Sequence, residues 1–231
     1  MPKIIFVHGM NGTAESWNTI PNKVADAGYD VHAINLPGHD TDMGLMDIFN
    51  SGQYHSGLSM DDYIDAIASA FPAGDARDVV LVGHSMGGAV ISHVAQKYPE
   101  RVLQLIYVAA MLPDSGESVS SIIDAIKAEN VPVIKTLGDY LPHLSELRLV
   151  LQPEEPLAAL FTRSPAFDAL PRGYILCQED DVIPLKIQEK MLVAYATASA
   201  KTGVKKLPFS HLLQYDNPQV LFESIQEMLL I

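Results

Sequence analysis

The sequence predicts an α/β chain: a doubly wound, mostly parallel sheet of about six strands with helices on both faces. Three observations carry this. Short apolar runs recur along the 231 residues, and they are apolar at every position rather than at alternate ones. A strand covered on both faces needs that pattern. Segments of helical spacing separate the runs. The residues best suited to chemistry, Ser85, Asp180 and His211, each stand just after a run, at what would be one sheet edge.

Taken in order, Ile4-Ile5-Phe6-Val7 reads as a central strand. It ends in His8-Gly9-Met10-Asn11-Gly12, where the glycines allow backbone N–H groups to come close to a ligand. His8 is expected to brace this loop. Trp17, Ile20, Val24 and Ala25 fall on one helical face, stopped by Gly28. Tyr29 to Leu36 is the next strand, turned by Pro37-Gly38-His39-Asp40. From Thr41 to Gly57 the pattern is irregular, and Met43, Leu45, Met46, Phe49, Tyr54 and His55 suit loop packing and a pocket wall equally. Ser59 is placed to cap a helix with Asp61 and Asp62 in its first turn; Tyr63, Ile64, Ile67, Ala68 and Phe71 form its inner face.

Val79 to Val82 is a β-branched run, followed at once by Gly83-His84-Ser85-Met86-Gly87 and then a small-residue helix through Ala89, Val90, Ile91, Val94 and Ala95. A serine on so tight a turn is pushed into strained backbone angles and stands out of the sheet. Its neighbours two before and two after must lack bulk, and both are glycine. The helix start aims free N–H groups and a positive dipole end at charge forming near Ser85. Val102 to Ala109 is another buried strand, ending at Met111-Leu112-Pro113-Asp114. Residues 113–168 then break the rhythm. Helix-like pieces (Ile122-Ile123-Ile126, Leu144-Leu147-Leu149-Leu151, Leu157-Leu160-Phe161) are split by prolines, which reads as a helical cap inserted after the fourth core strand of a single domain, 1–231. Tyr174 to Cys177 resumes the sheet. Gln178-Glu179-Asp180-Asp181 follows, then a helix through Ile187 and Met191. Gly203 to Leu207 is the last strand, and His211 lies between it and a closing helix that starts near Pro218.

Composition narrows the partners. A formal charge of −13 argues against nucleic acid and anionic membrane surfaces. No window is apolar for long enough to span a bilayer, and Met1-Pro2-Lys3-Ile4 runs into a strand without a signal-peptide pattern. Cys177 is the only cysteine, so no internal disulfide can form and a cytoplasmic location is expected. The histidines are scattered without paired ligand spacing, so no metal is expected.

An alcohol is a weak nucleophile at neutral pH. It needs a base in contact, and the base needs a carboxylate to fix its tautomer. Ser85 is the candidate nucleophile and His211 the candidate base, with Asp180 and Asp181 competing for the acid. The backbone N–H groups of Met10 and Met86 are the candidate oxyanion donors. Gly9, His84, Met111, Leu112 and Leu212 are candidate pocket residues, each equally suited to core packing.

Four segments carry a resemblance: Phe6-Val7-His8-Gly9, Gly83-His84-Ser85-Met86-Gly87-Gly88, Val108-Ala109-Ala110-Met111-Leu112-Pro113-Asp114, and Gln178-Glu179-Asp180 with Ile183-Pro184. Over nearly its whole length the chain resembles the α/β-hydrolase superfamily. Within it, the chain is similar to the plant methylesterase and hydroxynitrile lyase group and its bacterial esterase relatives. The resemblance implies an α/β-hydrolase fold, a small helical cap, an apolar pocket and no cofactor. It also implies Asp180 as the acid, because the group's acid stands four before a proline, here Pro184. The lyases carry a lysine directly after the catalytic histidine and a threonine in the first oxyanion loop, where this chain has Leu212 and Met10. The expected activity is therefore hydrolysis of small or medium carboxylic esters through an acyl-enzyme. A cyanohydrin lyase and a slow-turnover ligand-binding protein are the alternatives. Dehalogenase and epoxide hydrolase chemistry is disfavoured, since those relatives place aspartate at the elbow. The expected partner is a small-molecule ester, with a homodimer left open.

Overall fold

A computed structural model describes residues 1–39, 57–129, 152–200 and 202–229. Its sheet has six strands: β1 (Lys3–Val7), β2 (Asp30–Ile34), β3 (Val79–His84), β4 (Val102–Val108), β5 (Arg172–Cys177) and β6 (Thr202–Leu207). Their order is β2-β1-β3-β4-β5-β6 and every pairing is parallel. The chain steps from β1 to β2 on one side and then crosses to β3 on the other. That reversal opens a crevice beyond the carboxyl ends of β1 and β3, where Val7 lies in register with Gly83.

Alternation along the strands sorts the core into two layers. Ile5, Val7, Leu81, Leu105, Tyr107 and Tyr174 face α2 (Met60–Ser69), α3 (Met86–Lys97) and α6 (Leu185–Ala194). Ile4, Phe6, Val80, Val82, Ile106 and Val108 face α1 (Ile20–Asp26) and α8 (Pro218–Met228). Ser59 caps α2 as expected: its N–H donates to Asp62 Oδ2 at 2.7 Å and its hydroxyl accepts the Asp62 N–H at 3.4 Å.

Several boundaries differ from the sequence expectation: β3 runs on to His84 and β5 starts at Arg172, two residues before Tyr174. The second strand stops at Ile34, and the Leu36 N–H donates to His8 Nε2 at 3.1 Å. The stretch around Trp17 is a 3₁₀ turn, Ala14–Trp17, and the α-helix starts only at Ile20. Between β4 and β5 the described residues hold α4 (Val119–Ala128), a 3₁₀ turn (Glu155–Ala158) and α5 (Pro165–Asp168). The helical piece expected at Leu144 to Leu151 lies outside the described residues, as do Met43, Leu45, Met46, Phe49, Tyr54 and His55. The four-residue α7 (Leu213–Asp216) links the loop after β6 to α8.

Close backbone approach fixes where α3 meets the sheet. A Cβ on Gly87 would sit 2.4 Å from the Val7 carbonyl oxygen and 2.6 Å from that of His8. Both obstacles are main chain and cannot rotate away. Gly87→Ala is expected to cost ~3 kcal/mol or more, the upper end of core overpacking. Thermal melting should show a Tm lower by roughly 6–12 °C, or no folded protein at all. An unchanged melt would contradict this packing.

Candidate active site

Three loops converge at the crevice. The first is the turn from β3 into α3. Ser85 sits there with φ 53° and ψ −126°, backbone angles that L residues rarely adopt. Neighbours hold it so. Its N–H donates to the Val108 carbonyl at 3.3 Å, and its own carbonyl accepts the Gly88 N–H at 3.0 Å and the Met111 N–H at 2.9 Å. A Cβ on Gly83 would lie 2.6 Å from the Gly87 carbonyl oxygen, so the turn closes only without side chains there. Met86 opens α3, and its N–H therefore has no acceptor within the helix.

The second is the loop after β1. A Cβ on Gly9 would lie 2.9 Å from Ser85 Cβ, so the Gly9–Met10 backbone passes against the serine. His8 sets the plane of that peptide. Its Nε2 accepts the Leu36 N–H, which leaves the proton on Nδ1, and Nδ1–H donates to the Gly9 carbonyl at 2.8 Å. In a trans peptide the N–H opposes the carbonyl, so holding the Gly9 oxygen also aims the Met10 N–H. Burial, with His39 nearby, pushes the His8 pKa down to about 3 and keeps the ring neutral.

The third is the loop after β6. His211 Nδ1–H donates to Asp180 Oδ2 at 2.8 Å. Asp180 is fixed from all sides: Oδ1 accepts the Val182 and Ile183 N–H groups at 2.8 and 2.7 Å, and Oδ2 also accepts from Gln188 Nε2 at 3.2 Å. Asp180, not Asp181, meets the ring. With the Nδ1 proton held by a carboxylate, Nε2 is the basic nitrogen of His211. His84 ties the two ends of the site together: its Nε2–H donates to the His211 carbonyl at 2.9 Å, and the rings lie 4.7 Å apart. The His211 backbone is thus fastened to the residue beside Ser85. Among the described residues no hydrogen bond joins the Ser85 hydroxyl to His211, a contact that often tightens only with substrate bound. Ser85, Asp180 and His211 are 6%, 6% and 5% exposed, so the assembly is largely closed to water.

Of the candidate pocket residues, Met111 and Leu112 join the core on the α3 side, as does Met86. His84 turns inward as a tether, while Leu212 is half-buried beside His211. Burial, with His211 beside it, pushes the His84 pKa down to about 3.

Neutral His8 and His84 have a consequence for acid stability. The unfolded chain takes up protons near pH 6.5, and the folded rings refuse them until about pH 3. Stability is full above pH 6.5 and falls below it, by about 1 kcal/mol per pH unit for each ring. Melts run from pH 7 to pH 5 should show Tm falling on the acid side. A flat profile would mean that these rings are not buried and neutral.

Gln188 escaped sequence reasoning. It lies on the inner face of α6 between Ile187 and Met191, fully buried. Its amide Nε2 donates toward the Asp180 carboxylate, the Cys177 carbonyl at 3.1 Å and the Ile183 carbonyl at 2.6 Å. Its Oε1 accepts the Cys177 N–H at 3.2 Å. An uncharged amide on an otherwise apolar helical face was the one available signal. Gln188→Leu removes a donor from the acid and orphans buried main-chain groups. Activity should drop on the order of 10-fold or more from misplacement of Asp180. Stability should drop by ~1–3 kcal/mol for each orphaned group. Steady-state kinetics and chemical denaturation read the two separately.

Among the described residues no three His, Cys, Asp or Glu side chains gather to hold a metal. No helix among them is long and apolar enough to cross a membrane.

Comparison with known proteins places the chain. A pyrethroid hydrolase from Sphingobium wenxiniae is 26% identical over 255 residues, covering 97% of this chain and 86% of that protein. Methylesterase 2 from Arabidopsis thaliana is 24% identical, covering 96% of this chain and 93% of the relative. The crystal structure of a pyrethroid hydrolase from Sphingobium faniae superposes with a TM-score of 0.77 over 98% of this chain and 96% of that one, at 24% identity. The model of the alpha/beta hydrolase family matches residues 4–223. With that match over nearly its full length, and with the parallel six-stranded sheet already described, the chain belongs to the alpha/beta hydrolase family.

Proposed function

We propose that the protein is a serine carboxylesterase acting on small or medium carboxylic esters. The observation that carries this reading is the Asp180–His211 pair at 2.8 Å, anchored to His84, the residue adjoining a strained Ser85. Ser85 attacks the ester carbonyl, His211 Nε2 takes its proton, and the N–H groups of Met10 and Met86 hold the oxyanion. The alcohol leaves with a proton returned by His211. Water, activated by the same ring, then releases the acid. The names of the relatives, a pyrethroid hydrolase and a methylesterase, support ester cleavage as the reaction class. The insertion read from the sequence at 113–168 would, on this proposal, be the cap of the enzyme. A cytoplasmic location fits a chain whose single cysteine is a buried free thiol.

A panel of esters varied in acyl chain and alcohol, with Ser85→Ala as the blank, tests the proposal. Hydrolysis that depends on Ser85 is expected for at least the short aryl and methyl esters. A panel with no turnover above the blank would reject it.

A further inference from the structure

We propose that Asn11 and Gln152 are positioning residues for the Met10 N–H, fastening the oxyanion loop to the segment between β4 and β5. The inference rests on the oxyanion role proposed above for Met10.

Asn11 follows Met10 and has φ 57°. A glycine would hold that left-handed backbone at less cost, and Gly12 is next door. What asparagine adds is a side-chain acceptor. Its Oδ1 accepts the Gln152 N–H at 3.0 Å, across 141 residues of sequence. Gln152 is itself held at three points. Its Nε2 donates to the Tyr63 hydroxyl at 2.9 Å and to the Pro153 carbonyl at 2.9 Å, and its Oε1 accepts from His39 Nε2 at 3.0 Å. Tyr63 is fully buried on α2. The His39 ring lies 4.8 Å from that of His8, which fixes the Gly9 carbonyl. Met10 is therefore gripped on both sides, through its preceding peptide by His8 and through its following residue by Gln152. Neither Asn11 nor Gln152 touches Ser85, Asp180 or His211 through any of these bonds, so their effect on the reaction runs through the loop.

The test uses Asn11→Gly, which keeps the backbone angle but removes the acceptor, Gln152→Leu, which frees residue 152 from His39 and Tyr63, and the double variant. Each is assayed for kcat and KM on p-nitrophenyl butyrate. Each is also titrated with an aryl trifluoromethyl ketone, which Ser85 attacks to leave an alkoxide where the oxyanion forms. Losing an oxyanion donor outright costs 10²–10³ in kcat, so a displaced one should cost ~10-fold, with ketone affinity falling in step. KM should stay within roughly twofold. The double variant should lose about as much as the worse single variant, because the two act through one linkage. Lower Tm with unchanged kcat would reduce the linkage to a structural tie and overturn the proposal. So would a rise in KM alone, a fall in kcat without loss of ketone affinity, or losses that multiply in the double variant. Full activity of Ser85→Ala on the same ester would instead reject the esterase reading itself, and this inference with it.

Discussion

Ser85→Ala is expected to lower kcat/KM on an activated ester by on the order of 10⁴-fold or more, leaving a remnant from binding and the oxyanion donors. The fold should survive. The strain at residue 85 is imposed by the Val108, Gly88 and Met111 hydrogen bonds, all of them to main-chain atoms, and alanine keeps every one. A fluorophosphonate probe should label the native protein at Ser85 and leave the variant unlabelled. Near-native turnover by the variant would show that this hydroxyl is not the nucleophile, whatever its backbone angles.

Asp180→Asn carries the second large effect, a loss on the order of 10³–10⁴ in kcat/KM. The reasoning is geometric. Two backbone N–H groups, of Val182 and Ile183, already point at Oδ1, so asparagine keeps its oxygen there. Its amide nitrogen then faces His211 Nδ1 and the Gln188 donor. The ring must accept at Nδ1, which moves its proton to Nε2 and leaves no base for the serine. Because the turn keeps both backbone bonds, Tm should move by only a few degrees, on the scale of one lost hydrogen bond. Asp181→Asn is the control and should keep most of the activity. Equal losses in the two variants would mean that the acid cannot be assigned to position 180.

The sheet was legible because burial on both faces leaves a mark in sequence. Ile4–Val7 and Val79–Val82 are apolar at every position, and both strands are central. The edge strand β2 was harder to bound, since the pull of His8 on the Leu36 N–H ends it and sequence spacing does not register such a bond. Ser85 was legible from its flanking glycines, which the turn needs for a steric reason now visible at Gly87. His211 stood out by position alone. The choice of Asp180 over Asp181 came from family resemblance, because two adjacent carboxylates offer the same chemistry on paper. Gln188, Gln152 and the tethering by His84 were not legible. Each acts through a partner at a distance along the chain, and nothing local distinguishes a buried amide that supports an acid from one that merely caps a turn.

The bond from His84 to position 211 ends on a main-chain carbonyl. It does not pass through the Leu212 side chain. The Leu212 side chain can therefore vary over evolutionary time without undoing this hold on the His211 backbone. The side chain at 212 and the anchoring of the main chain at 211 are thus open to independent drift.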